Sequence, residues 1–446
     1  MTAAPDRGMA GSRAVSDGPD VGRADAARRP TIGIALYGTL TFDSRVRREA
    51  ATLAAGPFDV VVVCFGDASP AGDLPANVRV VVSKPDVDAV VPGSPNPFAS
   101  RTRNIVRTLL GRVRWLTGYV ANLRAWGKGV PAAAGPVDAW HLNDFVALAA
   151  VSRHLPQDVP VVYDAHDLFL ETGTARRLPG LARSLLRRYE RRLIRRAAAV
   201  VTVNAAVAKV LASRYRPGRI EVVHNCPERT VPQLVAPTLI RDATGIPDDA
   251  RILLHHGRLG EGRGVEELME ALLEPGLETA HLVLMGFGEK RLDFQATSQE
   301  PRFGGRVHVL PAVSPSVLLD WVASADLAVM PIQAATLNLY LSTPNKLFES
   351  LAAGVPVVVS SFPAMQAIVL DPREGPLGAT CDPSRPASIA AAIRSILELD
   401  PAAFAALRQR CLDAAQQHWN WEAESAKLTA LYVELTGAAR TRGQRR

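Results

Sequence analysis

The chain has 446 residues, 48% of them apolar, which suits two hydrophobic cores better than one. No uninterrupted apolar run approaches the ~18 residues that a membrane span needs, so no transmembrane segment is expected. The net charge of +7 and the four scattered cysteines, Cys64, Cys226, Cys381 and Cys411, exclude a strongly basic nucleic-acid binder, a disulfide framework and a Cys-ligated metal. They fit a reducing, cytoplasmic compartment.

In chain order, residues 1–29 are rich in Ala, Gly, Asp, Arg and Pro, lack the apolar block of a signal peptide, and read as a disordered tail. From Thr31, short apolar runs read as buried strands: 31–37, 59–65, 78–82, 138–142, 160–165, 198–203 and 220–224. Helical patterns separate most of them. Strands apolar on both faces, alternating with helices, mean a parallel sheet covered on both sides. After a polar, Pro-bearing stretch the rhythm restarts at 251–257, 281–286, 307–311, 326–331, 356–360 and 377–381. The reading is an α/β chain of two doubly wound domains, 30–232 and 233–418. A helix over 419–437 returns to the first domain, and 438–446 forms a basic tail. In such sheets ligands bind at the carboxyl ends of the strands, so the cleft between the domains is the expected site.

Three features of the second half point to a diphosphate. "GRLGEGRG" places Arg258 and Arg263 in a glycine-rich loop leading into a helix, where guanidiniums and backbone amides suit phosphate oxygens. "MGFGE" puts Gly286 and Gly288 at the next strand end, where a ligand can approach the backbone. "LSTPNKLFESLAAGVPVVVS" reads as a helix capped by Thr343 with Pro344 first. Its opening residues Ser342, Thr343, Asn345 and Lys346 offer amides and charge, and Glu349 suits a pair of ribose hydroxyls. The bland alternative pairs Glu349 with Lys346 along the helix.

Taken in order, "FDSRVRREAATLA", "VVYDAHDLF", "RAAAVVTVNAAVAKVL", "HHGRL…GRGVEELMEAL", "MGFGE", "SADLAVMP" and "PNKLFESLAAGVPVVVS" resemble the retaining glycosyltransferases of the GT-B fold, specifically family 4, over residues 31–437. The resemblance implies two Rossmann-like domains and a nucleoside-diphosphate sugar held mainly by the second. It places Arg258 and Arg263 on the diphosphate, Glu349 on the ribose, His166 facing the donor and Gly38 beside the donor phosphate. Where the family has a first glutamate, on the transferred sugar, this chain has Leu341. No cofactor or metal is expected; Asp86 and Asp88, in "PDVDAV", read as solvated loop carboxylates. Asp144 and Asp167 sit at similar strand edges and read as turn caps or acceptor contacts.

The implied reaction is sugar transfer to an acceptor hydroxyl with retention, in cell-envelope, polysaccharide or glycolipid synthesis. A carbohydrate or lipid-linked acceptor is implied, and no nucleic acid. Residues 101–128 carry seven basic residues and no acid, and 176–196 carry nine arginines against Glu190 alone. Both have helical apolar stripes. They read either as helices packed on the first sheet or as basic faces on an anionic membrane at the inner face of the cell membrane. The rival functions are a non-catalytic partner on the same fold, which Leu341 favours, and a sugar-nucleotide epimerase or hydrolase.

Overall fold

The computed structural model describes residues 28–66, 74–84, 105–229 and 238–443; Asp86 and Asp88 lie outside them. The first domain holds β1 (Thr31–Leu36), β2 (Asp59–Cys64), β3 (Val78–Val82), β4 (Ala139–Asn143), β5 (Val161–Ala165), β6 (Ala199–Thr202) and β7 (Ile220–Val222). The second holds β8 (Arg251–Arg258), β9 (Ala280–Phe287), β10 (Val307–Pro311), β11 (Leu327–Met330), β12 (Val357–Ser360) and β13 (Gly378–Cys381). Every sequence-predicted strand is present, displaced by at most a residue or two at its ends.

Both sheets are parallel, ordered β3-β2-β1-β4-β5-β6-β7 and β10-β9-β8-β11-β12-β13. Winding reverses between β1 and β4 and again between β8 and β11. Those switch points open crevices at the carboxyl ends of the strands. The reason for strands here is burial on both faces: Val60 to Cys64 are all essentially inaccessible, as are Leu282 to Met285. At roughly 25 cal/mol per Å² of apolar area removed from water, such runs dominate each domain's stability.

The chain returns to the first domain at Trp419 to Trp421, and the long helix Trp421–Gly443 then packs on that domain. Trp419 belongs to the second core, whereas Trp421, Leu428, Leu431 and Tyr432 pack against β1 and β2 in the first. None of the described helices is long and apolar enough to cross a membrane.

Candidate active site

On the second domain's side, β8 ends in His255, His256 and Arg258, and the helix Asn345–Ala352 packs beside them. Lys346 is buried and its Nζ lies 2.9 Å from His255 Nε2. His255 Nδ1 bonds the Val329 carbonyl at 2.8 Å, so that nitrogen carries the proton and Nε2 accepts from lysine. Burial, then repulsion from Arg263, pull Lys346 down to about 7. Glu349 Oε2 accepts from His256 Nε2 at 3.0 Å. The Lys346–Glu349 pair allowed by helical spacing therefore does not form as a contact. Each partner instead takes one of two consecutive strand histidines.

Arg263 is the unusual group. Its side chain makes no hydrogen bond or ion pair among the described residues, and burial followed by Arg258 repulsion lowers its basicity. Arg258 is 58% exposed and meets Glu289 at 3.1 Å. Three basic groups thus crowd one strand edge, and of the three only Arg258 is in direct contact with a carboxylate among the described residues.

Gly286 and Gly288 have a packing role that the sequence did not show. A Cβ at Gly286 would lie 1.8 Å from the Gly257 carbonyl, and one at Gly288 2.2 Å from that of Leu259. They admit the neighbouring backbone. The predicted cap is also displaced: Pro344 holds the N-cap position with no side-chain cap bond, and the helix starts at Asn345. The Leu347 amide is taken by the Pro344 carbonyl at 2.9 Å, leaving the amides of Asn345 and Lys346 as the free donors of the first turn.

On the first domain's side, His166 follows β5. Its Nε2 sits 2.9 Å from Asp164 Oδ2 and its Nδ1 3.8 Å from Asp144 Oδ1. Burial opposes charging, but Asp164 and Asp144 outweigh it and raise His166 to about 10, so the ring is an imidazolium at neutral pH. Asp167, exposed on the cleft but partly desolvated by the protein around it and beside Asp144, rises to about 6 and interacts with Arg263 across the cleft.

Beneath His166 lies a charged cluster within the core. Arg45 grips Asp164 with two bonds of 2.9 and 3.1 Å and gives a third to the Val223 carbonyl. Glu49 oxygens stand 3.0 Å from Arg45 Nε and 3.2 Å from His141 Nε2, ion-pair distances without hydrogen-bond alignment. His141 Nδ1 meets Tyr432 of the helix Trp421–Gly443 at 2.8 Å. Glu49, His141 and Asp164 have the spacing of metal ligands, but the Arg45 guanidinium already occupies the cationic role between the two carboxylates. Despite burial, Arg45 and the two imidazoles hold Asp164 well below the usual carboxylate range.

Between the domains lies a cavity of about 350 Å³ lined by Asp43, His166 and Asp167 from one side and Asn338, Ser342, Thr343 and Asn345 from the other. Arg258, Arg263, Lys346 and Glu349 are not among the residues that line it. Gly38 follows β1, and a Cβ there would meet only the Leu36 side chain, at 3.6 Å, among the described residues. Residues 44–227 match the family model "Glycosyltransferase Family 4", and residues 250–399 match "Glycosyl transferases group 1". The chain belongs to the GT-B glycosyltransferases.

This glycosyltransferase is 29% identical over 335 residues to D-inositol 3-phosphate glycosyltransferase 1 of Catenulispora acidiphila, covering 70% of this chain and 76% of the relative. It is 26% identical over 430 residues to glycogen synthase of Mycobacterium tuberculosis, covering 90% and 91% of the two chains. Among solved structures it resembles sucrose-phosphate synthase of Thermosynechococcus elongatus, with TM-score 0.65, 20% identity and coverage of 92% and 100%. Anabaena Alr3699/HepE in complex with UDP gives TM-score 0.62, 16% identity and coverage of 91% and 100%.

Sequence reasoning named His166, Arg263, Lys346 and Glu349 as candidates but missed the direct partners of three of them, Asp164, His255 and His256, and the Arg45 and Glu49 that stand beside Asp164. One signal was available. Arg45 and Glu49, four apart in "FDSRVRREAATLA", fall on the helix face that carries Val46, Ala50 and Leu53 into the core. A charged pair on an apolar face demands a buried partner.

Proposed function

We propose that the glycosyltransferase moves a sugar from a nucleoside-diphosphate donor to an acceptor hydroxyl with retention of configuration. The observation that carries this is the crowding of Arg263 with Arg258 and Lys346. The half-buried Arg263 guanidinium feels Asp167 and Glu289 only at a distance and makes no direct hydrogen bond or ion pair among the described residues. A diphosphate gives Arg263 a directly bonded anion, and the free amides of Asn345 and Lys346 add donors. As the glycosidic bond breaks, negative charge grows on the departing diphosphate where these groups stand. A leaving group neutralised in this way calls for no metal ion. Glu349, already oriented by His256, is placed to accept from ribose hydroxyls. His166 as an imidazolium donates to the donor's sugar or phosphate oxygens rather than acting as a base. Front-face attack, with a donor phosphate oxygen taking the acceptor proton, needs no protein nucleophile. The UDP complex of Alr3699/HepE supports the donor class.

UDP and GDP tested by thermal unfolding provide the check. At a hundredfold excess over its dissociation constant, the matching nucleotide should stabilise the wild type by about 2.7 kcal/mol. Glu349→Ala should lose most of that shift. Equal stabilisation of both proteins would remove Glu349 from the site.

A lipid-linked acceptor is favoured by the helix Gly180–Ile194. Leu181 is 77% exposed, Leu185 55% and Tyr189 40%, while Leu193 and Ile194 bury the opposite face. Exposed Arg188, Arg192, Arg195 and Arg196 continue the outer face. The expected stripe of Leu185, Tyr189 and Leu193 is thus divided: Leu193 is buried, Tyr189 edges Phe145 while staying partly open to solvent, and Leu185 faces out. For residues 101–128, 101–104 lie outside the described residues; Arg124 and Lys128 are exposed and Trp126 is buried. An exposed apolar patch continued by arginines fits an anionic bilayer, at roughly 1 kcal/mol per basic residue near the surface. The wild type should co-sediment with phosphatidylglycerol vesicles at low salt, and Leu181→Ser with Leu185→Ser should reduce the bound fraction several-fold. Equal, salt-insensitive sedimentation would exclude this face.

A further inference from the structure

The short segment before the donor-binding helix belongs to the second domain by sequence yet is held by the first. Leu341 is 6% exposed and is part of the first domain's core cluster, and Leu337, one helical turn earlier, packs against the same cluster. Leu339, on the opposite face of that turn, packs into the second core. The backbone is tied as well. Buried Asn204 donates from Nδ2 to the Leu341 carbonyl at 2.8 Å and to Thr343 Oγ1 at 3.2 Å. Asn338 Oδ1 accepts from the Leu168 amide at 2.9 Å, and its Nδ2 donates to the Leu168 carbonyl at 3.3 Å.

These bonds fix the residues immediately preceding Pro344, whose N-cap position has no side-chain bond of its own. The aim of the free amides at Asn345 and Lys346 therefore depends on where the first domain holds residues 341 to 343. We propose that Asn204 is a positioning residue for the donor diphosphate, acting across the cleft through an apolar pin, Leu341. A leucine can enter the first domain's apolar cluster, whereas a glutamate there would be desolvated without a partner. The departure from the family pattern at 341 thereby trades a carboxylate near the donor sugar for a tie between the domains. Opening the cleft must expose Leu341 and release the Asn204 and Asn338 bonds together. Closure and orientation of the helix start are then one event.

This inference rests on the proposed donor site, and its test separates the two. Asn204 also caps the helix Ala205–Tyr215, its Oδ1 accepting from the Val207 amide at 2.9 Å. Asn204→Asp keeps that acceptor and replaces the donor to Leu341 and Thr343 with a carboxylate oxygen that repels the Leu341 carbonyl; Leu341→Ala shortens the pin without touching Asn204. In the full chain, both variants should show a larger radius of gyration by small-angle scattering at unchanged circular dichroism. UDP titrated calorimetrically should bind roughly tenfold more weakly to each. If turnover is reached, donor KM should rise more than kcat falls. Asn204→Ser, which keeps both a cap acceptor and a donor, should recover part of the affinity. Folded variants with wild-type scattering overturn the tie, whatever UDP does. A wild type that binds no UDP counts against uridine as the donor base, and scattering still decides the tie.

Discussion

Arg263→Ala is expected to lower kcat by roughly 10²–10³, about 3 kcal/mol of lost leaving-group stabilisation, while leaving the unliganded thermal midpoint unchanged or higher. The two effects have one cause. In the free protein this guanidinium is partly desolvated, meets Arg258 repulsion and has no bonded anion. Removing it deletes an unfavourable charge from the resting state and a favourable one from the transition state. The Lys346 ammonium, now held near 7 by burial and by Arg263, should move back toward its ordinary range. Nucleotide binding to the variant should then vary less between pH 6 and 8 than in the wild type. Arg263→Lys should recover much of the activity, because a point charge at that place replaces most of the Coulomb term though not the fork of two donors. A variant that loses stability in step with activity would make Arg263 a structural residue.

Asp164→Ala is expected to destabilise the first domain by about 3–5 kcal/mol, since it strands a buried guanidinium. For a domain of this size the thermal midpoint should fall on the order of 10 °C. Arg45 would retain Glu49 and the Val223 carbonyl but lose its two best-aligned bonds. The pH dependence gives a sharper test. The folded value of His166 is raised, to about 10, so its contribution is fully present below the ordinary imidazole value and is lost as pH rises through 10. Asp164 is depressed, so its contribution is present above the ordinary carboxylate value and is lost as pH falls through its folded value. Wild-type stability should therefore decline between pH 7 and 10, and the variant should lose much of that slope. In activity, His166 without Asp164 should titrate nearer neutrality, giving the variant a falling limb between pH 6 and 8. A variant with the wild-type pH profile would mean that Asp164 does not set the charge of His166.

The strand segments were legible because a parallel sheet covered on both faces asks for short, fully apolar runs, and "DVVVVC" or "HLVLM" admits little else. The helix "NKLFESLA" was legible for the same reason, by its inward Leu347 and Leu351. Its cap was misplaced by one residue, since Thr343, a good capping residue by type, is engaged by Asn204 from the other domain. Gly286 and Gly288 look alike whether a ligand or a neighbouring strand comes close, and sequence alone carries no sign of which.

The sequence by itself determined two Rossmann-like domains and the chemical inventory of the site: cations, a helix start, a glutamate and a histidine at strand ends. Local periodicity and residue type suffice for that, because each element buries its own apolar stripe. Only the tertiary structure decided the pairings. His255 and His256 receive different partners, Arg263 is left unpaired, Asp164 charges His166, and Leu341 turns into the opposite domain. Those outcomes depend on distances between residues far apart in the chain, and charge, burial and orphaned donors act through distance rather than through sequence order.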